Sequence, residues 1–265
     1  MRLTTPNQRL SVRDVRKTFV HSNSWFVRAT ETHALKGVSF DVEPGEIFGI
    51  VGESGCGKST LARILVGLEH ADAGSLTLGE RKLFGPDTTE LAPVQRGIQM
   101  VFQDPYASLN PRMKVGDVVA EGLAVAKIPR EERERRVAET MSLVGLSPAD
   151  AEKHAFQFSG GQRQRICIAR ALVMEPQFLI ADEAVSALDV SVQMQILNMI
   201  LDLRDRIGLS IIFITHDISV VEYICDRVMV MYDGQVMEQG PTPIVLDHPS
   251  HVYTQRLIAS VPRLV

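Results

Sequence analysis

Residues 52–59 read Gly52-Glu53-Ser54-Gly55-Cys56-Gly57-Lys58-Ser59. This is the order G-x-x-x-x-G-K-[ST], and each residue type has a physical task. The glycines let the backbone wrap anionic oxygens, and successive N–H groups at the start of a helix present positive potential to them. Lys58 is expected to reach the β- and γ-phosphates of a nucleotide. The Ser59 hydroxyl is expected to ligate Mg²⁺, and Thr60 carries the loop into its helix. Cys56 reads as a small residue the loop tolerates, in preference to a reactive thiol at a helix start.

A second acidic element stands far along the chain. The apolar run Phe178-Leu179-Ile180-Ala181 ends in Asp182-Glu183. A lone Asp-Glu pair is usually a surface turn. After a buried strand in a chain with a phosphate loop, Asp182 is placed to join the metal shell. Glu183, one residue on, points elsewhere and is suited to take a proton from an attacking water. The two elements together imply a nucleoside triphosphatase.

Such groups need a scaffold. Residues 10–20 and 34–42 alternate apolar and polar, as half-buried strands do, and a Glu-Pro-Gly-Glu turn follows at 43–46. Residues 47–51 (IFGIV) form a short continuous apolar run, the mark of a strand buried on both faces. Helix formers run from 58 to 68 and stop near Gly67; 75–78 and 98–102 read as further strands. A helical pattern covers about 115–145, with the mixed-charge run 130–136 (REERERR) as a solvated helix face. The α/β alternation then returns: a helix to about Met174, a strand 178–181, a helix 190–207 and a strand 210–215. This alternation predicts a parallel sheet covered on both faces, with the middle helices as an insert. Residues 226–238 read as a hairpin around Asp233-Gly234, followed by a Pro-punctuated helical appendage after Gly240.

Composition narrows the classes. The chain has 265 residues, 45% hydrophobic and 23% charged, with a formal net charge of −4. That is an ordinary globular balance, and it argues against a nucleic-acid binder held by bulk charge. Three cysteines without CxxC spacing indicate neither a disulfide framework nor a zinc knuckle. The longest uncharged stretch is 12 residues, 190–201, too short and too polar for a bilayer span. The N-terminal stretch lacks an apolar signal core, so the reading is a reduced, soluble, cytosolic chain.

The remaining motifs carry a resemblance. Phe158-Ser159-Gly160-Gly161-Gln162 followed by Arg163-Gln164-Arg165 resembles the signature of ATP-binding cassette (ABC) ATPases. Gln103 resembles the family's Q-loop, Ser186-Ala187-Leu188-Asp189 its D-loop, and His216 its switch histidine. The ordered set covers about residues 9–240. The fold class it implies is α/β: a P-loop NTPase core with an N-terminal antiparallel β region and an inserted α-helical subdomain at about 104–165. Residues 241–265 form a C-terminal extension.

The resemblance also implies roles. Phe19 matches the aromatic that stacks on adenine, with Trp25 or Phe26 as competitors. Gln103 touches Mg²⁺ and the water, and His216 contacts the γ-phosphate beside Glu183. Ser159, Gly161 and Gln162 serve the ATP of a second cassette, so that two ATPs are sandwiched head to tail. Two departures stand out: Phe158 replaces the commoner Leu, and Ala184-Val185 follows Glu183 where many relatives have Pro-Thr.

The interval from Gly52 to Ser159 is 107 residues, which leaves no room for long coiled-coil arms. Residues 103–113 (QDPYASLNPRM) and 248–254 (HPSHVYT) look like those of peptide/nickel importer ATPases. The implied protein is an ATPase peripheral to the cytoplasmic face of the inner membrane. It binds integral permease subunits and a second ATPase subunit, and is served indirectly by an extracytoplasmic binding protein. The expected cargo is oligo- or dipeptide, with nickel, glutathione, opines and oligosaccharides open; no nucleic acid is expected, and the alternative of a different class is a soluble, non-transport ABC ATPase acting on nucleic acid or the ribosome. His248 and His251 read as capping and packing residues in preference to metal ligands.

Overall fold

The computed structural model describes residues 8–21, 30–86 and 97–260. It divides into two compact units, one holding residues 97–211 and the other 8–86 and 212–260 of the described chain.

In the second of these, β1 (Leu10–His21) pairs antiparallel with β2 (Thr30–Val42). β3 (Ile47–Val51) is buried throughout, as its unbroken apolar run requires. Helix α1 (Lys58–Val66) ends at Gly67, whose φ of 81° takes the left-handed conformation glycine adopts without strain. β4 (Ala73–Leu78) and β5 (Arg81–Phe84) complete a four-stranded antiparallel sheet in the order β2-β1-β4-β5.

The first unit begins with β6 (Ile98–Val101) and the single turn α2 (Pro105–Ser108). Helices α3 (Val115–Val125) and α4 (Arg130–Leu143) follow, then α5 (Gly160–Leu172), β7 (Phe178–Asp182) and α6 (Val190–Ile207). β6 and β7 run parallel, with Val101 opposite Ala181. The single helical pattern expected at 115–145 is two helices. Lys127 at φ 57° and the following Pro129 break it, since neither conformation continues a helix. The helix expected to run to about Met174 spans Gly160–Leu172, with Ser159 as its cap.

β8 (Ser210–Thr215) and α7 (Ile218–Ile224) lead back into the other unit. There β9 (Arg227–Tyr232) runs parallel to β3 with Val230 opposite Val51, and antiparallel to β10 (Gln235–Pro241). The hairpin turns at Asp233 and Gly234, both with positive φ, as foreseen from their residue types. Helices α8 (Thr242–Asp247) and α9 (Val252–Ala259) close the described chain. His251 caps α9, its Nδ1 accepting from the Tyr253 backbone N–H at 3.1 Å. Three elements escape the sequence reading, the first being the single turn α2. β5 is a four-residue edge strand, and α7 is a seven-residue helix announced only by its cap, Asp217. Among the described residues no helix is long and apolar enough to cross a membrane.

Candidate functional site

The parallel register of β3 and β9 explains how the phosphate loop is seated. Val51 lies opposite Val230, so the next residue, Gly52, lies against Met231. A Cβ on Gly52 would come 2.1 Å from the Met231 carbonyl oxygen, which no side chain tolerates. Gly57, at φ 105°, approaches the Ala34 carbonyl so closely that a Cβ would stand 2.4 Å from it. The loop is therefore fitted against main chain on both sides. The Gly234 N–H donates to the Cys56 carbonyl at 3.0 Å, and the Lys36 N–H donates to the Gly234 carbonyl at 2.8 Å. The β9–β10 hairpin thus braces the phosphate loop.

Lys58 is buried, and its ammonium donates to the carbonyls of Gly52 at 2.7 Å and Glu53 at 2.8 Å. Cys56 is buried beside it, and burial pushes its thiol pKa up, away from the reactive thiolate. Glu53, Ser54, Gly55 and Ser59 are exposed, while Gly57 and Thr60 are half-buried. Phe19 is half-buried on β1, with the Lys17 ammonium 5.1 Å from its ring centre. Trp25 and Phe26 lie outside the described residues. His216 is exposed just after β8.

The other unit holds the acidic strand end. Because Val101 faces Ala181 across two parallel strands, two further residues on each bring Gln103 and Glu183 together. The Gln103 amide donates from Nε2 to Glu183 Oε2 at 2.8 Å. Asp182 is buried at the end of β7, whereas Glu183 is half-buried at φ 49°. That left-handed residue turns the chain, and Ser186 fastens the turn by donating its N–H at 3.2 Å and its hydroxyl at 3.0 Å to the Glu183 carbonyl. Ala184 and Val185 are both buried, so the departure from Pro-Thr is filled by apolar packing.

The signature segment caps a helix. Ser159 Oγ accepts from the Gln162 N–H at 3.3 Å while Gln162 Oε1 accepts from the Ser159 N–H at 3.0 Å, a reciprocal capping box. This leaves the N-terminus of α5 exposed at Ser159 and Gln162. A Cβ on Gly161 would meet Val192 of α6 at 2.4 Å, so close packing of α5 on α6 requires glycine there. Phe158 is buried, and exchanging it for Leu is a packing change worth less than about 1.5 kcal/mol. Asp189 caps α6, accepting from the Val192 N–H at 3.0 Å and the Ser191 hydroxyl at 2.7 Å. These bonds, the Val192 N–H first, hold its carboxyl below the usual range.

Residue spacing points to the loop and the acidic strand end, but not to their supports. Gly234 and Lys36 are distant in sequence, and Ser186 reads only as part of the D-loop. Only the Asp-Gly turn pair hinted at the first.

Comparison with known proteins decides the family: the pattern of the ABC transporter family matches residues 35–186. The chain belongs to the ABC transporter family. It carries that family's ATPase domain and binds ATP. It is 43% identical over 256 residues to the di/tripeptide transport ATP-binding protein DppF of Pseudomonas aeruginosa, covering 96% of this chain and 79% of that one. It is 49% identical to the glutathione import ATP-binding protein GsiA of Pectobacterium atrosepticum, covering 88% of this chain but only 37% of that longer protein. Among solved structures, cbiO1 from Clostridium perfringens, part of the transporter complex cbiONQ, matches with a TM-score of 0.77 at 30% identity over 97% of both chains. The ABC cassette MJ0796, a dimer in a post-hydrolysis state with ADP and Pi, matches at 0.73 and 29% identity, covering 88% of this chain and 98% of that one.

Proposed function

We propose that this chain is the ATP-hydrolysing subunit that drives import of oligo- or dipeptides through separate membrane permease subunits. One observation carries the cargo: likeness to the dipeptide and di/tripeptide transport proteins runs through 94–96% of this chain. It thus takes in the helical insert at about 104–165 and the extension beyond residue 240. Glutathione import is the second reading, favoured by the matches to GsiA proteins. Both cargoes are peptides in the broad sense, and neither need touch this chain.

The chemistry follows from the groups present. The two carbonyls that hold Lys58 are weaker partners for an ammonium than phosphate oxygens, so bound ATP would draw Lys58 off them. The Ser59 hydroxyl and the Asp182 carboxylate are the hard oxygen donors that Mg²⁺ prefers, and the Gln103 amide supplies another. When bound, Mg²⁺ would neutralise charge developing on the phosphates. Glu183 would accept the proton of the attacking water, and the amide of Gln103 would set that carboxylate's orientation. His216 would donate to the departing γ-phosphate. Phe19 would offer its ring to adenine. Ser159, Gly161 and Gln162 would present the α5 N-terminus to the γ-phosphate of a second ATPase subunit, since a helix start attracts anions. The protein would sit at the cytoplasmic face of the membrane, held by the permease.

Uptake of a labelled tripeptide and of labelled glutathione, in cells carrying either the wild-type or the Glu183→Gln protein, tests the reading. Loss of tripeptide uptake together with membrane ATPase activity supports peptide import. Loss confined to glutathione moves the cargo to the second reading. Intact uptake of both, in cells lacking other peptide importers, contradicts it.

A further inference from the structure

The C-terminal helix α9 is anchored with more bonds than an appendage needs, and it is anchored against the phosphate loop. Glu238 on β10 accepts from the Ser250 N–H at 2.9 Å, the Ser250 hydroxyl at 2.8 Å and the His251 N–H at 3.1 Å. Burial alone would raise this carboxyl, but the bonds outweigh it and hold its pKa at about 2. The latch thus seats the first residues of α9. His251 then caps the helix through the Tyr253 N–H, which fixes where Tyr253 points.

Tyr253 leans on Tyr232, the last residue of β9, with ring centres 4.4 Å apart. Its hydroxyl is buried and has no hydrogen bond of good geometry. What borders that hydroxyl is Glu53, the second residue of the phosphate loop, through both its backbone N–H and its carboxylate. Burial, the largest cause, pushes the phenol up to about 12, so it stays protonated at any working pH. Glu53, Tyr232, Met237, Tyr253 and Leu257 line one cleft of about 540 Å³.

The N–H of Glu53 belongs to the same peptide as the Gly52 carbonyl that holds Lys58. A phenol oxygen at one end of this peptide and an ammonium at the other bear on a single plane, so its orientation is shared between them. A buried hydroxyl left without a good partner is a strained arrangement that a small rotation of the peptide relieves. Entry of phosphate would draw Lys58 off the Gly52 carbonyl and free the peptide to make that rotation. The hydroxyl would then close on the Glu53 N–H that it faces.

We infer that Tyr253 is a positioning residue for the phosphate loop, and that the C-terminal extension sets ATP affinity by holding the Gly52–Glu53 peptide from behind. This rests on the ATP-binding reading of that loop. The extension would thereby serve as a point where a partner lifting α9 from β10 lowers ATP affinity without touching the nucleotide.

The test uses the full chain and fluorescent N-methylanthraniloyl ATP, with steady-state turnover measured in parallel. Tyr253→Phe keeps the ring on Tyr232 and removes only the hydroxyl. The expected result is a Kd and KM for ATP raised about three- to tenfold, with kcat within about twofold and the melting temperature unchanged. Glu238→Gln, which weakens the latch at a distance, should move Kd in the same direction. The double variant should fall short of the product of the two effects, because both act on one contact. Tyr253→Phe with wild-type Kd and KM overturns the inference, as does a change confined to kcat. A wild-type chain that binds no ATP overturns the nucleotide reading beneath it.

Discussion

The phosphate loop is held by main-chain atoms, whereas the acidic turn after β7 is held mainly by side chains. At the loop, Gly52 and Gly57 abut the carbonyls of Met231 and Ala34, and Gly234 donates to Cys56. At the turn, the Gln103 amide and the Ser186 hydroxyl add side-chain bonds to the one backbone bond from the Ser186 N–H. The contrast suits the two tasks proposed above. A loop that offers N–H groups to phosphates needs its backbone held near the bound shape, and backbone approached this closely admits only glycine. A group that accepts a proton needs an oriented carboxylate whose partner can let go. Substitutions at the loop should therefore damage structure and binding together, and those at the turn should damage turnover alone.

The largest effect should come from Gly52→Ala. Its Cβ would stand 2.1 Å from the Met231 carbonyl, so the loop or β9 must shift. The expected cost is about 1–3 kcal/mol of stability, seen as a lower melting temperature, with ATP binding lost. Normal binding and melting would break the contrast at its stronger end. A smaller effect is expected for Gln103→Ala, which removes the 2.8 Å bond to Glu183. Turnover should fall roughly tenfold while Kd for ATP and the melting temperature stay as they were. A changed Kd with normal turnover would show that Gln103 serves binding instead.

The same contrast explains what was legible in the sequence. The loop could be read because backbone constraints force residue types at fixed spacing, as Gly52, Gly57 and Lys58 show. β3 and β7 could be read because burial on both faces leaves an unbroken apolar run. The first residues of β2 could not. Residues 30–33 are exposed and polar, and they are strand only because they pair with the far end of β1. The bond between Gln103 and Glu183 joins residues 80 apart, and it exists because two strands align in parallel. Nothing local encodes it. Tyr253 likewise reads as part of a C-terminal extension until β10 and α9 bring it to Glu53. Asp189 and Ser159 were read for chemistry, and the structure gives each a capping role that would be needed without any nucleotide.

The most direct test of the account sets Lys58→Ala beside Glu183→Gln in the purified chain, measuring equilibrium ATP binding and single-turnover hydrolysis in each. Lys58→Ala should abolish ATP binding. Glu183→Gln should bind ATP as the wild type does and hydrolyse it about 10²–10⁴ times more slowly. Normal turnover in either variant, or loss of binding in Glu183→Gln, would contradict the assignment of binding to the loop and of cleavage to the turn.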